Sequence, residues 1–271
     1  MTAIALTIAG SDTSGGAGIQ ADLKTFAALE VYGASVITAL TAQNTLGVEA
    51  VHMVPPDFVR AQMWAVAVDF EVGAIKTGML GTSAVIKTVV EGLADFARVP
   101  VVLDPVMVAA SGDPLLDKDA VDTLRTALIP RATLITPNLA EAAALLGEGV
   151  ARNEAEMAAQ ARKLLMFGVK AALLKGGHAE GPEAVDIFLD GEGEMRLSTQ
   201  RVMTRNTHGT GCTLSAAIAA ELAKGVSLRV AVAMGKAHVT AAITAADELK
   251  IGKGRGPVHH FHALWDRKQK T

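Results

Sequence analysis

The sequence predicts an α/β fold built on a mainly parallel sheet with helices on both faces. Apolar runs of strand length alternate with helical patterns along nearly the whole chain, and such alternation builds parallel sheets covered on both sides. Half of the 271 residues are hydrophobic but only 4% are aromatic, which suits a large core of Ala, Val, Leu and Ile. No linker-like stretch interrupts the middle. The one glycine-dense segment near an end, Gly252-Lys253-Gly254-Arg255-Gly256, lies between predicted helices. The chain therefore reads as one domain over residues 1–271.

Residues 3–9 are apolar apart from Thr7 and read as a buried first strand. It ends in a glycine-rich stretch over 10–18, and a helix follows over 19–30. Residues 33–42, with β-branched Val36, Ile37 and Thr38, form the second strand. Pro55-Pro56-Asp57 opens a helix reaching residue 70, because proline suits a first turn. A short strand over 74–77 stops at Gly78, and a helix covers 82–97. A strand over 101–103 leads into Asp104-Pro105. The loop over 106–116 carries Gly112 and Pro114 and is long enough to act as a flap. A helix over 117–128 and a strand over 132–136 come next. Leu139, Ala142, Ala143 and Leu146 fall at i, i+3, i+4 and i+7, one face of a helix. A further helix over 154–167 precedes a strand over 169–174, which ends in Lys175-Gly176-Gly177. Two runs, 185–189 and 194–198, flank Asp190-Gly191 as a hairpin. The remainder is helical: 212–224, 228–249, and a short helix after Pro257.

Composition narrows the function. A formal net charge of −3 offers no basic excess for nucleic acid or an anionic membrane surface. The N-terminal apolar run has no basic region ahead of it and is too short for a membrane span. A single cysteine, Cys212, excludes an internal disulfide and zinc-type spacing, and fits a reducing cytoplasm.

Ligands of open parallel sheets bind beyond the carboxyl ends of the strands. The polar residues there are Gly10-Ser11-Asp12, Gln43-Asn44, Lys76-Thr77-Gly78, Asp104, Asn138 with Glu141, and Lys175-Gly176-Gly177. The most informative segment is 207–215, THGTGCTLS. Its glycines lead directly into an Ala-rich helix, where bare backbone N–H groups and the helix dipole favour an anion. The bland alternative is a tight turn that merely starts a helix.

Other motifs weigh less. No Gly-x-x-x-x-Gly-Lys-Ser/Thr loop is present. Gly10, Gly15, Gly16 and Gly18 do not fit Gly-x-Gly-x-x-Gly, and Glu30 precedes the second strand, which counts against a nicotinamide or flavin enzyme. Asn138 and Glu141 have the spacing of a capping box. Alternatively, Glu141 and Asp104 hold a hydrated Mg²⁺, which takes one or two carboxylates plus waters and phosphates. Lys175 aims an ammonium at the mouth of the sheet, or snorkels at the surface. His259, His260 and His262 read as a solvated terminal helix rather than a metal set.

Taken together, the motifs resemble a known family. The 207–215 segment is similar to the anion-hole signature of the ribokinase-like superfamily. Its cysteine form resembles the hydroxymethylpyrimidine and phosphomethylpyrimidine kinases of thiamine biosynthesis. Residues 9–22 (AGSDTSGGAGIQAD), 38–45 (TALTAQNT), 102–107 (VLDPVM) and 136–141 (TPNLAE) agree, with a weaker echo at 254–260 (GRGPVHH).

The resemblance implies a ribokinase-like three-layer sandwich and a transfer of phosphoryl groups from ATP, with Mg²⁺, to a pyrimidine alcohol and then to its monophosphate. It places the transferring phosphates over Gly209, Thr210, Gly211 and Cys212, with Lys175, Thr213 and Asn138 near the nucleotide and Asp104 and Glu141 near the metal. It places Gly10, Asp22, Gln43, Met79, Val106 and Cys212 around the pyrimidine. The amide of Gln43 offers a donor and an acceptor to the ring. It also implies a homodimer. A pyridoxal kinase or dual-specificity enzyme is the near alternative, and a non-catalytic pyrimidine or nucleotide sensor the remote one. Cys212 stands where sugar kinases of the superfamily have an aspartate base. A neutral thiol there tolerates an anionic acceptor, while a helix N-terminus could favour a thiolate in the first step. The loops over 11–18 and 106–116 are expected to close over the site.

Overall fold

The structure, a computed structural model, describes residues 2–109, 112–113, 115–117, 119–177 and 181–265. Its strands are β1 (Ile4–Asp12), β2 (Tyr32–Asn44), β3 (Gly47–Met53), β4 (Ala74–Thr77), β5 (Val101–Leu103), β6 (Leu134–Ile135), β7 (Ala171–Lys175), β8 (Glu183–Asp190) and β9 (Gly193–Gln200). They form one sheet in the order β3-β2-β1-β4-β5-β6-β7-β8-β9. The six from β2 to β7 in that order are parallel, and β3, β8 and β9 are antiparallel additions at the two ends.

Alternation along each strand builds two cores. Leu6, Ile8, Ile75, Leu103, Ile135 and Leu174 face one layer of helices: α2 (Pro56–Ala67), α3 (Ser83–Gly92), α5 (Leu139–Leu146) and α6 (Glu154–Leu165). A one-turn helix, α4 (Ala120–Thr123), joins that layer. Ala5, Ala74, Val102, Leu134 and Ala171 face the other: α1 (Gly18–Ala28), α7 (Thr210–Ala223) and α8 (Leu228–Thr244). Small residues on this second face let α7 lie close to the sheet. Its Ala216, Ala217, Ala219 and Ala220 are fully buried, as expected for a helix apolar on all sides. Among the described residues, no helix is long and apolar enough to cross a membrane.

Three local expectations need correction. The sequence does not reveal β3, because most of its residues are exposed and carry no alternating apolar face. The helix expected over 117–128 begins at Ala120, widens over Leu124–Leu128 and tightens over Ile129–Arg131, where Pro130 cannot donate to an α-helical ladder. After Pro257 there are turns rather than a helix, and His259 and His260 are buried. Pro257 pairs with His208, and the His259 N–H donates to the Ala242 carbonyl, so this segment packs inward against α8.

That inward packing has a pH signature. Burial pushes His260 down to about 3, and its Nε2 has no partner. A histidine held neutral in the folded state binds its proton only on unfolding. Its stabilisation is therefore present above its ordinary pKa of 6.5 and is lost as pH falls toward 3. In that window stability should rise by about 1.4 kcal/mol per pH unit from this group alone. Urea unfolding of His260→Phe between pH 4 and pH 6.5 should show a slope shallower by about that amount.

Candidate active site

The carboxyl ends of β1, β4, β5 and β7 converge on the first turn of α7. Gly209 caps α7 in the left-handed region (φ 80°), and no side chain caps the helix. The first-turn amides therefore remain available to an anion. A Cβ on Gly209 would stand 1.8 Å from the Gly16 carbonyl oxygen, so only glycine lets the turn press against the glycine-rich stretch after β1.

A buried clasp fixes the two against each other. Asp12 Oδ2 lies 2.7 Å from His208 Nε2, and the same oxygen accepts from the Gly16 and Ala17 N–H groups. Its Oδ1 accepts from the Ser14 N–H and hydroxyl. Burial alone would raise the Asp12 pKa, but hydrogen bonds from His208 and Ser14 bring it down to about 2. Lys24 Nζ also donates to the Gly15 carbonyl at 2.6 Å. These bonds tie the 11–18 stretch, which is expected to close over the site, to the anion turn. Asp12→Ala strips a buried imidazole and three amides of their acceptor and should lower unfolding stability by about 3–5 kcal/mol in urea titration.

Lys175 projects from the end of β7, its Nζ 2.8 Å from Asp104 Oδ1 and 3.9 Å from Glu141 Oε2. Thr136 and Ser215 hydroxyls lie at 3.3 and 3.4 Å from the Asp104 carboxylate. A Cβ on Gly211 would stand 3.1 Å from Lys175 Nζ and 3.5 Å from Asp104 Oδ2, so this ion pair abuts the anion turn. Although burial opposes its charge, Asp104 and Glu141 hold Lys175 above the ordinary lysine value.

The capping box is present: the Asn138 N–H donates to Glu141 Oε2 at 2.7 Å, and the Glu141 N–H to Asn138 Oδ1 at 2.9 Å. Its geometry leaves Glu141 beside Lys175, so the cap does not displace the carboxylate from the site. Burial pushes Glu141 up to about 7, partly against Lys175 and aided by Asp104. The donor set is two buried carboxylates with an ammonium between them. It matches a hydrated hard cation that completes its shell with water and phosphate oxygens.

On the other side of the turn, Gly10 and Met79 are in contact; a Cβ on Gly10 would meet Met79 Sδ at 3.0 Å. Gln43 lies at the end of β2, where its Oε1 accepts from the Thr41 hydroxyl. Val106 is half-buried directly after Asp104-Pro105. Asp22 is fully buried, with its Oδ2 accepting from Thr7 at 2.6 Å and from Lys76 at 2.8 Å. Thr213 is also fully buried, its hydroxyl unpartnered. In the 106–116 loop, Leu115 N–H donates to the Met107 carbonyl and Val48 N–H to Asp113 Oδ2. The Pro114 part of the expected flap lies outside the described residues.

Burial pushes the Cys212 thiol up to about 11, despite Lys76 and an N–H bond from Gly18. Desolvation thus favours the uncharged thiol over the expected thiolate at neutral pH. The sequence reading names Lys76 among the polar residues at the strand ends but gives it no partner and no role, and it does not single out the Asp12–His208 clasp or the Asp186–Lys236 ion pair. In that last pair Asp186 Oδ2 is 2.7 Å from Lys236, and Oδ1 accepts from the Gly176 N–H. The signal for Lys76 was available: one lysine inside an otherwise apolar strand.

Comparison with known proteins identifies the family. The model of the phosphomethylpyrimidine kinase family matches residues 12–259. A hydroxymethylpyrimidine/phosphomethylpyrimidine kinase of Rhizobium meliloti is 60% identical over 265 residues, 98% of this chain and 99% of that protein. A thiamine biosynthesis bifunctional protein of Geobacter sulfurreducens is 49% identical over 261 residues, covering 96% of this chain and 53% of that protein. Among solved structures, a pyridoxal kinase of Bacillus subtilis in complex with ADP superposes with a TM-score of 0.89 at 38% identity, covering 96% of this chain and 98% of that one.

Proposed function

The chain belongs to the phosphomethylpyrimidine kinase family, and from that premise we propose how its own residues carry out the two transfers. It is a phosphotransferase of thiamine biosynthesis. It phosphorylates 4-amino-5-hydroxymethyl-2-methylpyrimidine to the monophosphate, and then the monophosphate to the diphosphate. The whole chain serves as one kinase domain. The observation that carries the reading is the Lys175–Asp104 pair set against Gly211 of an uncapped helix N-terminus, with uncharged Cys212 next in line.

Phosphoryl transfer asks for positioning and charge stabilisation rather than covalent chemistry. The amides of Gly209, Thr210, Gly211 and Cys212 would cradle the transferring group, and Lys175 would share its charge. Asp104 and Glu141 would hold Mg²⁺ through its water shell. The ion supplies charge neutralisation between the phosphates. Asn138 and Thr213 complete the nucleotide side. A cleft of about 450 Å³ lined by Thr199, Ala237, Thr240, Thr244, Glu248 and His262 suits the nucleoside end of ATP. Strand register supports that placement: Lys175 lies opposite Asp186, and Thr199 opposite Ala184, at the same end of the sheet. Gly10, Asp22, Gln43, Met79 and Val106 would form the pyrimidine side, with Gln43 reading the ring edge.

We further place the enzyme in the cytoplasm, where its lone thiol stays reduced, and assign it as a homodimer. Tyr32, Leu40, Leu46, Val51, Phe58 and Trp64 leave large apolar side chains exposed around the β3 edge and α2, more than scattered surface residues require. Light scattering at micromolar concentration should give twice the chain mass.

The deciding experiment is mass spectrometry of products formed from the pyrimidine alcohol with MgATP. Sequential appearance of monophosphate and diphosphate is expected, and an unchanged alcohol would overturn the assignment. The fit to a pyridoxal kinase structure favours pyridoxal as a second acceptor. A parallel reaction tests it, and pyridoxal should stop at the monophosphate. ADP release in either reaction rules out a pure sensor.

A further inference from the structure

Strand β4 contributes four buried residues, Ala74–Thr77, and one of them is a lysine. Lys76 is among the largest fully buried side chains of the protein. An isolated ammonium in such surroundings would lose its proton. Asp22 Oδ2 at 2.8 Å prevents that and holds Lys76 above the ordinary lysine value, although burial opposes it. Such a pair is a poor stabiliser, since well-packed apolar residues of the same volume commonly do as well. Its place in the fold suggests another use.

The ammonium lies at the carboxyl end of β4, where ligands of parallel sheets bind. A Cβ on Gly78 would stand only 2.8 Å from Lys76 Nζ, so the glycine leaves room for the charge. Among the described residues, Asp22 meets one of the three N–H donors of Lys76, and Asp22 Oδ1 has no hydrogen-bond partner. Both groups are thus incompletely satisfied at the end of the sheet that faces the acceptor. Lys175 abuts Gly211 at the anion turn, and Lys76 is near enough to Cys212 for its charge to act on the sulfur. At the Cys212 sulfur, Lys76 acts more strongly than either Asp22 or Asp104 taken singly.

Resting on the function read above, we infer that Lys76 is a positioning residue for the second acceptor: buried with Asp22 at the carboxyl end of β4, it makes the acceptor side of the site hospitable to a phosphate anion. In the first transfer the alcohol oxygen bonds to the γ-phosphorus, and the bond from that phosphorus to the β–γ bridging oxygen breaks. ADP leaves with the electron pair, and the alcohol proton is released. In the second transfer an oxygen of the monophosphate attacks in the same way, so no proton needs to leave, but the acceptor brings its own negative charge. On the acceptor side, Lys76 answers that charge and Cys212 adds none. A neutral alcohol needs no such answer. Lys76 therefore bears on which acceptor is used, and less on transfer as such.

The test compares kcat/KM for the alcohol and for the monophosphate at saturating MgATP. Lys76→Met leaves the buried Asp22 charge with only the Thr7 hydroxyl on it, a folding defect in its own right, so it is paired with Lys76→Met/Asp22→Asn, which removes both charges. In the double variant a positive and a negative charge are lost together, so the acceptor loses only the difference between them: use of the monophosphate should fall about 3–10-fold further than use of the alcohol, less than a lone unit charge would cause at an effective dielectric of about 20. Lys76→Arg should restore most of the ratio. Equal losses on both acceptors in the double variant would reduce the pair to a structural role and overturn the inference. If the unmodified protein turned over neither acceptor, the reading of function would fall first, and the inference with it.

Discussion

Gly209→Ala should abolish most turnover while leaving the chain folded. Two independent features make the position intolerant. Its φ of 80° places an L-residue in a conformation that costs about 1–2 kcal/mol, and the new Cβ would stand 1.8 Å from the Gly16 carbonyl oxygen. The clash involves backbone, so no rotamer relieves it. The turn could move only by parting from the stretch that Asp12 holds through His208, Gly16 and Ala17. A shift of about 1 Å in a positioned group costs on the order of 10²-fold in rate, and loss of one anion-hole donor about 10²–10³-fold. A drop of at least about 10²-fold in kcat is expected in an ADP-release assay, with little change in circular dichroism. Gly149→Ala is the matched control, because nothing lies within 4 Å of its would-be Cβ. A Gly209→Ala protein with near-normal kcat would mean that the turn does not hold the transferring group.

The parts of this architecture that were legible in the sequence are those written in local pattern. Strands β1, β4, β5 and β7 are buried along nearly all their length, so they stand out as apolar runs. The Asn138–Glu141 cap needs only a three-residue spacing. Strand β3 is hidden because its stability comes from pairing with β2 at the sheet edge, not from an apolar face. Partnerships between distant residues are hidden for a different reason. Asp12 and His208 are 196 positions apart, and Lys76 and Asp22 are 54 apart. Nothing in the periodicity of one sequence ties such residues together. The buried histidines near the chain end belong to the same class, since the pairing of Pro257 with His208 turns that segment inward. The anion turn itself was readable because its chemistry is carried by consecutive residues, Gly209 to Cys212.

Cys212→Asp should separate the two transfers. Burial keeps the thiol protonated, with its pKa at about 11, so the wild-type turn presents no charge beside the acceptor. An aspartate would add one. At about 4 Å and an effective dielectric of about 20, each unit of negative charge on a phosphate acceptor would be repelled by roughly 4 kcal/mol, on the order of 10³-fold in rate. The alcohol acceptor is neutral and escapes that penalty, and a carboxylate could even take its proton as the oxygen attacks. Formation of the diphosphate from the monophosphate should therefore collapse, while formation of the monophosphate from the alcohol changes far less. Separate assays with each acceptor measure the ratio. Cys212→Ser supplies the control: a hydroxyl is as neutral as the thiol and of similar size, so the ratio should stay near that of the wild type. If Asp and Ser variants lose both steps in the same proportion, shape rather than charge governs the position. If only the Asp variant loses the second step, a cysteine at this turn is what lets one site accept an alcohol first and an anion next.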